Sequence, residues 1–339
     1  MVFIFTNKND IHPTNVIKHL ASWGVPVFRL NTECLLTDYQ FKWWCDENGC
    51  DFYIRNIKNN LEVYGHEITA VWERRAMIPK TLPITHRERS INKYNREETH
   101  GFLSFLRYYM RDIYSIGSIV EDRPAESKML QLAVAKSIGA KVPDTCYANY
   151  KSAFDDLCSK HEELSLKSIN NDSIFIDGEK EYVFYSQKCK STDLMKQAPE
   201  AFSQTACYLQ NYIDKKYELR ITVCCNDIVA CKIDSQIQGE TTGKIDWRQG
   251  YDYNLRQEIV EIPDSVKELC LSYLKKMKLN FGCFDFIVTP DDEYIFLECN
   301  PNGQWLWIEL ETGFDISEIV ARNLSVGEDA KFQRRKDAK

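Results

Sequence analysis

Cys283-Phe-Asp-Phe-Ile-Val-Thr-Pro-Asp-Asp-Glu-Tyr-Ile-Phe-Leu-Glu-Cys-Asn300 reads as two alternating strands around a polar turn that contains Pro290. Asp285 and Glu298 lie equally far from the Asp291–Asp292 junction, so a symmetric hairpin sets them opposite each other on one face. Like charges in that relation repel, and the flanking phenylalanines and leucine imply partial burial, which enlarges the repulsion. A divalent cation removes the conflict. Asn300, two residues beyond Glu298 on the same face, adds a carbonyl oxygen and completes a hard oxygen set suited to magnesium bridging phosphates. The alternative is a solvated hairpin with two unrelated acids.

Working outward, Tyr217-Glu-Leu-Arg-Ile-Thr-Val223 places Glu218, Arg220 and Thr222 on one strand face and Leu219, Ile221 and Val223 on the other. An arginine fork beside an acid suits a phosphate next to a ribose hydroxyl, and a cross-strand ion pair is the plainer reading. Lys232 and Asp234 repeat the pattern on the next strand. Lys128 stands near the start of a helix expected over 125–138 and closed by Gly139, where it adds its charge to the helix N-terminal field around an anion. Lys167 projects from the strand 164–169 away from Leu164 and Leu166.

The chain around these segments has 339 residues, 44% hydrophobic and 27% charged, which excludes a disordered chain and a small disulfide scaffold and allows two or three domains. It has no apolar run of about 20 residues and no signal-peptide start, so no membrane is expected and the expected compartment is cytoplasmic. A net charge of -7 disfavours general adhesion to nucleic acid. The 13 cysteines include no C-x-x-C and read as reduced, mostly buried thiols, and the six histidines show no ligand spacing. The opening is βαβ-like, with Asn7-Lys-Asn-Asp10 where a dinucleotide fingerprint would need glycines. A helix is expected over 97–113, Ser152-x-x-Asp155 resembles a capping box, and Asp177-Gly178 signals a hairpin within 175–184. Gln238 to Ile245 lacks phosphate-loop spacing and reads as a mobile loop, and the charged tail 331–339 as disordered.

The ordered series Glu126-Ser-Lys-Met-Leu-Gln-Leu-Ala-Val-Ala-Lys136, Lys167, Leu209-Gln-Asn-Tyr-Ile213, Glu218-Leu-Arg220, Asp246-Trp-Arg248 and Phe284-Asp285 through Leu297-Glu-Cys-Asn300 resembles the ATP-grasp ligases from about Pro124 to Phe314. Within them, Lys216-Tyr-Glu-Leu-Arg220, Lys232-Ile-Asp-Ser-Gln236, Asp246-Trp-Arg248 and Val71-Trp-Glu-Arg-Arg75 look like the graspetide synthetases, the microviridin-type maturases, and the opening looks most like their grasp-with-spasm branch. The resemblance implies an α/β (α+β) ATP-grasp fold. Its parts would be an N-terminal pre-ATP-grasp-like domain (1–122), a central α/β lobe (123–205) and a C-terminal antiparallel-sheet lobe (206–330). It implies ATP and Mg2+ as cofactors and a ribosomal precursor peptide, leader plus core, as partner, and it admits a homodimer.

By the same resemblance, Lys128 and Lys167 would hold the ATP phosphates, Gln210, Asn211, Tyr212 and Ile213 would form the adenine hinge, and Glu218 would bind ribose. Arg220 and Arg248 would grip the γ-phosphate and acyl phosphate, and Asp285, Glu298 and Asn300 would ligate magnesium. The Asp177-Gly178 hairpin lies where these enzymes dock the leader. Ser168 replaces the usual proline after Lys167, no glycine-rich flap precedes the hinge, and Arg74 and Arg75 fit either a structural ion pair or substrate-carboxylate binding.

Chemistry follows from need. A carboxylate must take the γ-phosphoryl of ATP before a hydroxyl or amine can displace it, and lysines, arginines and magnesium offset the charge in transfer. Lys232 joins the catalytic set through its motif, and Asp234 and Asp246 are base candidates by proximity to the motifs. The main reading is a peptide macrocyclase joining Asp or Glu carboxyls to Ser, Thr or Lys. Alternatives are a ligase adding amino acids such as glutamate to a peptide end and a catalytically silent ATP-binding protein.

Overall fold

The computed structural model describes residues 1–47, 49–78, 85–117, 122–169, 173–176, 180–236, 243–248 and 255–326. Its N-terminal part is a four-stranded parallel sheet in the order Val27–Asn31, Val2–Thr6, Ala70–Glu73, Tyr114–Ile116. The helix His12–Ser22 makes the first crossover. Val2–Thr6 is central and buried on both faces, as an unbroken apolar run should be in a covered parallel sheet. Phe3 and Phe5 pack with Phe28, Leu103 and Leu106, whereas Val2 and Ile4 pack with Val16, Leu20, Val320 and Leu324. The last contacts bring the C-terminal helix Ile316–Ser325 back onto the first strand.

A three-stranded meander, Tyr39–Asp46, Gly49–Asn56 and Glu62–Tyr64, leans on the long helix His86–Tyr109 through the stacked rings of Phe41 and Phe102, 4.3 Å apart. That helix begins eleven residues before the expected start at 97, because Thr85 and Glu88 form a reciprocal capping box: Thr85 Oγ1 accepts from the Glu88 amide at 3.1 Å and Glu88 accepts from the Thr85 amide at 2.9 Å. Cys45 and Cys50 stand directly opposite across the first hairpin and are joined as a disulfide, which corrects the reading of all cysteines as thiols.

The central part holds a four-stranded antiparallel sheet in the order Gln187–Lys190, Glu163–Lys167, Cys207–Asn211, Thr145–Ala148. The single helix expected over 125–138 is two, Asp122–Ala125 and Lys128–Ser137, since Ser127 caps the second by accepting from the Leu130 amide. Lys128 therefore sits on the first turn of its own helix. Ser152 caps nothing; a 3-10 turn Lys151–Phe154 leads into Asp155–Lys160 with Phe154 at the N-cap. Ser173–Ile176 and Lys180–Val183 pair as an antiparallel hairpin, and the Asp177-Gly178 turn itself lies outside the described residues, as do Gln238 to Thr242 and the tail 331–339.

The C-terminal sheet has five antiparallel strands in the order Gln257–Val260, Asp227–Ile233, Tyr217–Cys224, Phe281–Val288, Tyr294–Asn300. One face carries Leu219, Ile221, Val223, Phe284 and Phe286 against the helices Asp264–Met277 and Lys128–Ser137. The other face is divided. Its far end, with Cys224, Phe281 and Cys283, is apolar and packs with Trp305, Leu306 and Ile316 toward the N-terminal sheet, whereas its near end presents Glu218, Arg220 and Asp285 to a cleft.

Candidate active site

The cleft, 1080 Å³, lies between the central and C-terminal sheets, with Arg75 and the turn after Asn300 along one side. Asp285 does pair with Glu298 across the strands. The reason differs from simple symmetry: the strands register about Asp291 beyond Phe286, and a bulge next to Asp285 takes up one residue. The bulge also sends the consecutive residues Leu297 and Glu298 to the same cleft.

Strand register positions Arg220 and Asn300 around the acid pair, and a helix start brings Lys128 to it. Arg220 is the cross-strand neighbour of Asp285, and its Nη1 lies 3.3 Å from Asp285 Oδ2. Asn300 donates its amide to Asp285 Oδ2 at 3.4 Å and to Glu298 Oε1 at 3.2 Å. Lys128 Nζ lies 3.5 Å from Glu298 Oε2 and donates to the Ser168 carbonyl at 3.2 Å. Burial first, then the charges of Glu298 and Glu218, push the Asp285 carboxyl up to about 7 against Arg220. Burial would raise Glu298 as well, but Lys128, Asn300 and Lys167 hold it below its ordinary value. Two carboxylates so placed are not comfortably ionised together, and a hard divalent cation fits both oxygens, with the Asn300 carbonyl as third donor once its amide is rotated.

Lys167 is pushed down to about 8, chiefly by burial, with Glu298 opposing and Lys128 and Lys215 adding to the shift. No carboxylate lies within ion-pair distance of it among the described residues. Gln210 is buried in its strand and donates to Thr145 Oγ1 at 3.0 Å and Tyr208 OH at 3.2 Å. Asn211 accepts from the Asp144 amide at 2.8 Å, the Tyr212 amide donates to the Glu163 carbonyl at 2.9 Å, and Ile213 completes this edge of the cleft. Lys188 stands 3.9 Å above the Tyr212 ring.

Sequence reasoning missed Lys215. Its buried ammonium reaches Glu218 Oε1 at 2.7 Å and the Ile245 carbonyl at 2.9 Å, while Ser235 donates to the same Glu218 oxygen at 2.9 Å. Lys215 thus ties the Glu218 carboxylate to the segment carrying Asp246 and Arg248. It precedes its strand, where alternation gives no face, so its pattern held no signal.

Asp246 grips Arg248 at both ends, 2.9 Å to Nε and 2.7 Å to Nη2, and accepts from the Ser186 amide at 3.1 Å. Burial opposes, but these bonds and the Arg248 charge bring the carboxyl down to about 2. A carboxylate so stabilised is a weak proton acceptor, so its part is to position Arg248 rather than to act as base. Lys232 and Asp234 are not brought to the cleft. Lys232 is opposite Leu219 in the register, on the face turned away from Glu218 and Arg220, where it pairs with Glu258 at 3.0 Å. Asp234 follows that strand's end, its amide bonded to the Arg256 carbonyl, and does not line the cleft.

Adjacent arginines part company. Arg74 is 1% exposed, 3.0 Å from Asp10 Oδ2, donates to the Gly303 carbonyl at 2.9 Å, and lies 4.7 Å from the Trp305 ring centre. It is a structural clamp between the N-terminal sheet and the turn after Asn300. Arg75 lines the cleft.

A nucleotide-sized cleft between two antiparallel sheets, with convergent lysines and arginines facing an acid pair, defines an ATP-dependent ligase of the ATP-grasp class. The chain belongs to the RimK-like ATP-grasp domain family, whose model matches residues 126–324, and residues 1–116 match the MvdD pre-ATP grasp domain. Among curated proteins none matches it. Similar solved structures include a Chryseobacterium gregarium RiPP-associated ATP-grasp ligase in complex with ADP and a leader and core peptide, with 25% identity, TM-score 0.84 and 96% of each chain covered. The macrocyclase MdnC of Microcystis aeruginosa MRC, bound with precursor peptide MdnA, is 25% identical with TM-score 0.80, covering 96% of this chain and 99% of that one. The ATP-grasp ligase PsnB, solved with minimal precursor, Mg and ADP, shares the fold at 16% identity, TM-score 0.74 and 96% of each chain. Among the described residues no helix is long and apolar enough to cross a membrane.

Proposed function

We propose that the chain is a graspetide synthetase, an ATP-dependent macrocyclase that joins Asp or Glu side-chain carboxyls of a ribosomal precursor peptide to Ser, Thr or Lys side chains as esters or amides. The observation that carries this reading is one cleft in which four cations, Lys128, Lys167, Arg220 and Arg248, converge with the buried acid pair Asp285 and Glu298, whose Asp285 carboxyl is pushed up despite the facing Arg220. Similarity at 25% identity over 96% of the chain to enzymes solved with precursor peptides supports the peptide as substrate.

In this reading Lys128 and Lys167 hold the phosphates, the 210–213 edge takes adenine, and Glu218, oriented by Lys215 and Ser235, meets ribose. Asp285, Glu298 and Asn300 hold Mg2+, which when bound neutralises the acids and the phosphate oxygens together. The substrate carboxylate oxygen attacks the γ-phosphorus and ADP leaves, with Arg220 and the Asp246-held Arg248 offsetting the transferring charge. The hydroxyl or amine then attacks the acyl carbon, expelling phosphate. Leader docking at the 173–183 hairpin, action in the cytoplasm and the three-part division at 122 and 205 belong to the same proposal.

Incubation with ATP, Mg2+ and a candidate precursor, a short peptide rich in Thr, Ser, Lys, Asp and Glu, is expected to yield ADP and a product lighter by one water per ring. A product heavier by an amino acid, or ADP without any change in peptide mass, would overturn the reading.

A further inference from the structure

Arg75 has three features its neighbours lack. It adopts φ of 50° without being glycine, a left-handed conformation that costs roughly 1–2 kcal/mol. It is exposed to the cleft. And no carboxylate lies within ion-pair distance of it among the described residues, whereas Lys128, Lys215, Arg220 and Arg248 each have one.

The backbone strain has a geometric cause. Arg74 is pinned inward on Asp10 and Gly303, so the left-handed turn at the next residue is what aims Arg75 at the opposite side. The Asn7 side chain fastens that turn by donating to the Arg75 carbonyl at 2.8 Å. Both terminal nitrogens of Arg75 then meet the Gln304 side-chain oxygen, at 2.8 and 2.7 Å, in the amide orientation that satisfies both partners. Gln304 is itself on a fixed support. A Cβ on Gly303 would come within 2.2 Å of Cys283, so the turn is laid directly on the strand that carries Asp285 two residues later. A neutral prop holds the fork without cancelling its charge, and strain maintained by several contacts is a mark of a functional position.

We propose that Arg75 is the receptor for a carboxylate of the peptide substrate, the acidic side chain delivered to the phosphoryl-transfer centre. Lys167, among the described residues the other cleft cation without an acid partner, stands on the central sheet, and Arg75 enters from the N-terminal sheet, so the two anions of the reaction can be met from different parts of the chain. Planar, bidentate geometry suits a carboxylate. The proposal rests on the macrocyclase reading.

The test reads binding as well as turnover. The precursor peptide on which the wild-type protein loses water, and a form with every core Asp and Glu changed to Asn and Gln, are titrated against the protein with ADP and Mg2+ present. The wild-type protein is expected to favour the acidic core roughly tenfold, one charge-assisted contact. Arg75→Met should erase that preference and raise KM for the peptide with ADP affinity unchanged within about twofold, Arg75→Lys should restore part of it, and Gln304→Leu should weaken it. Circular dichroism and ADP binding report folding, and the Gln304 variant keeps the test open if Arg75→Met fails to fold. A preference retained in Arg75→Met and Gln304→Leu, or a fall in ADP affinity matching that for peptide, would overturn the assignment. Failure of the macrocyclase reading is separate: it appears as absence of water loss with wild-type protein, whatever the binding ratio.

Discussion

Two buried charge clusters are made from similar side chains and end in opposite states. Asp10, His12 and Arg74 are 7%, 5% and 1% exposed and answer one another: His12 Nδ1 donates to Asp10 at 2.9 Å, Arg74 Nε faces Asp10 at 3.0 Å, and the other ends of both reach backbone near Trp305. Burial would raise the Asp10 carboxyl, yet His12 and Arg74 bring it below its usual range. Asp285 and Glu298 are served by neighbours as well, but Asp285 ends high, about 7, since Arg220 does not offset burial and the facing acid. A cluster that closes on itself holds structure, and one that stays short of cation is arranged for a ligand.

The largest expected effect breaks the open cluster. Asp285→Asn is expected to lower peptide-dependent ADP formation by a factor of about a thousand or more, the scale of losing a transition-state charge partner, with Lys128→Ala close behind. Thermal stability without metal should hold or rise in Asp285→Asn, because a crowded carboxylate is removed. The wild-type protein should gain stability from Mg2+ and the variant should gain less. Unchanged turnover, or equal stabilisation by Mg2+, would remove Asp285 from the metal site.

The closed cluster predicts the reverse pairing of effects. Asp10→Asn leaves the Arg74 guanidinium buried without its counter-charge, and breaking a buried pair costs about 3–5 kcal/mol. Chemical denaturation should register that loss, with residual activity falling only in proportion to the folded fraction. A variant as stable as wild type would mean that Asp10 contributes little to the clamp.

The contrast also separates what alternation could and could not reveal. Asp285 opposite Glu298, and Glu218 and Arg220 on one face, were legible because parity within a hairpin or strand fixes relative placement. Parity is silent about which face of the next strand matches it, and on that point Lys232 was misread: its partner is Leu219, not Arg220. The helix start at Thr85 was present as a capping box and overlooked because the apolar stripe begins later, at Phe102. Lys215, Gln304 and the opposite fates of Arg74 and Arg75 arise from long-range packing. No local pattern announces that the turn after Asn300 will lie against the N-terminal sheet.

The smallest effect tests the closed cluster through pH. His12 donates from Nδ1 to Asp10 and accepts at Nε2 from the Trp305 amide at 3.3 Å, so the neutral ring is fixed in one tautomer. Protonating Nε2 would set a donor against a donor. Burial foremost, and the charges of Arg74 and Arg75, lower the His12 pKa from its ordinary 6.5 despite Asp10. Between that lowered value and 6.5 the unfolded chain binds more protons than the folded one, so stability must decline as pH falls from about 7 through this window. Asp10, also lowered, extends the loss below its own ordinary value of 3.8. His12→Asn keeps a short donor and acceptor but cannot titrate, and is expected to flatten the slope between pH 7 and 5 by about one proton's worth, roughly 1.4 kcal/mol per pH unit at most. Denaturant midpoints with the same slope in both proteins would show that the acid sensitivity lies elsewhere and that the Asp10, His12, Arg74 cluster is more open to water than its burial implies.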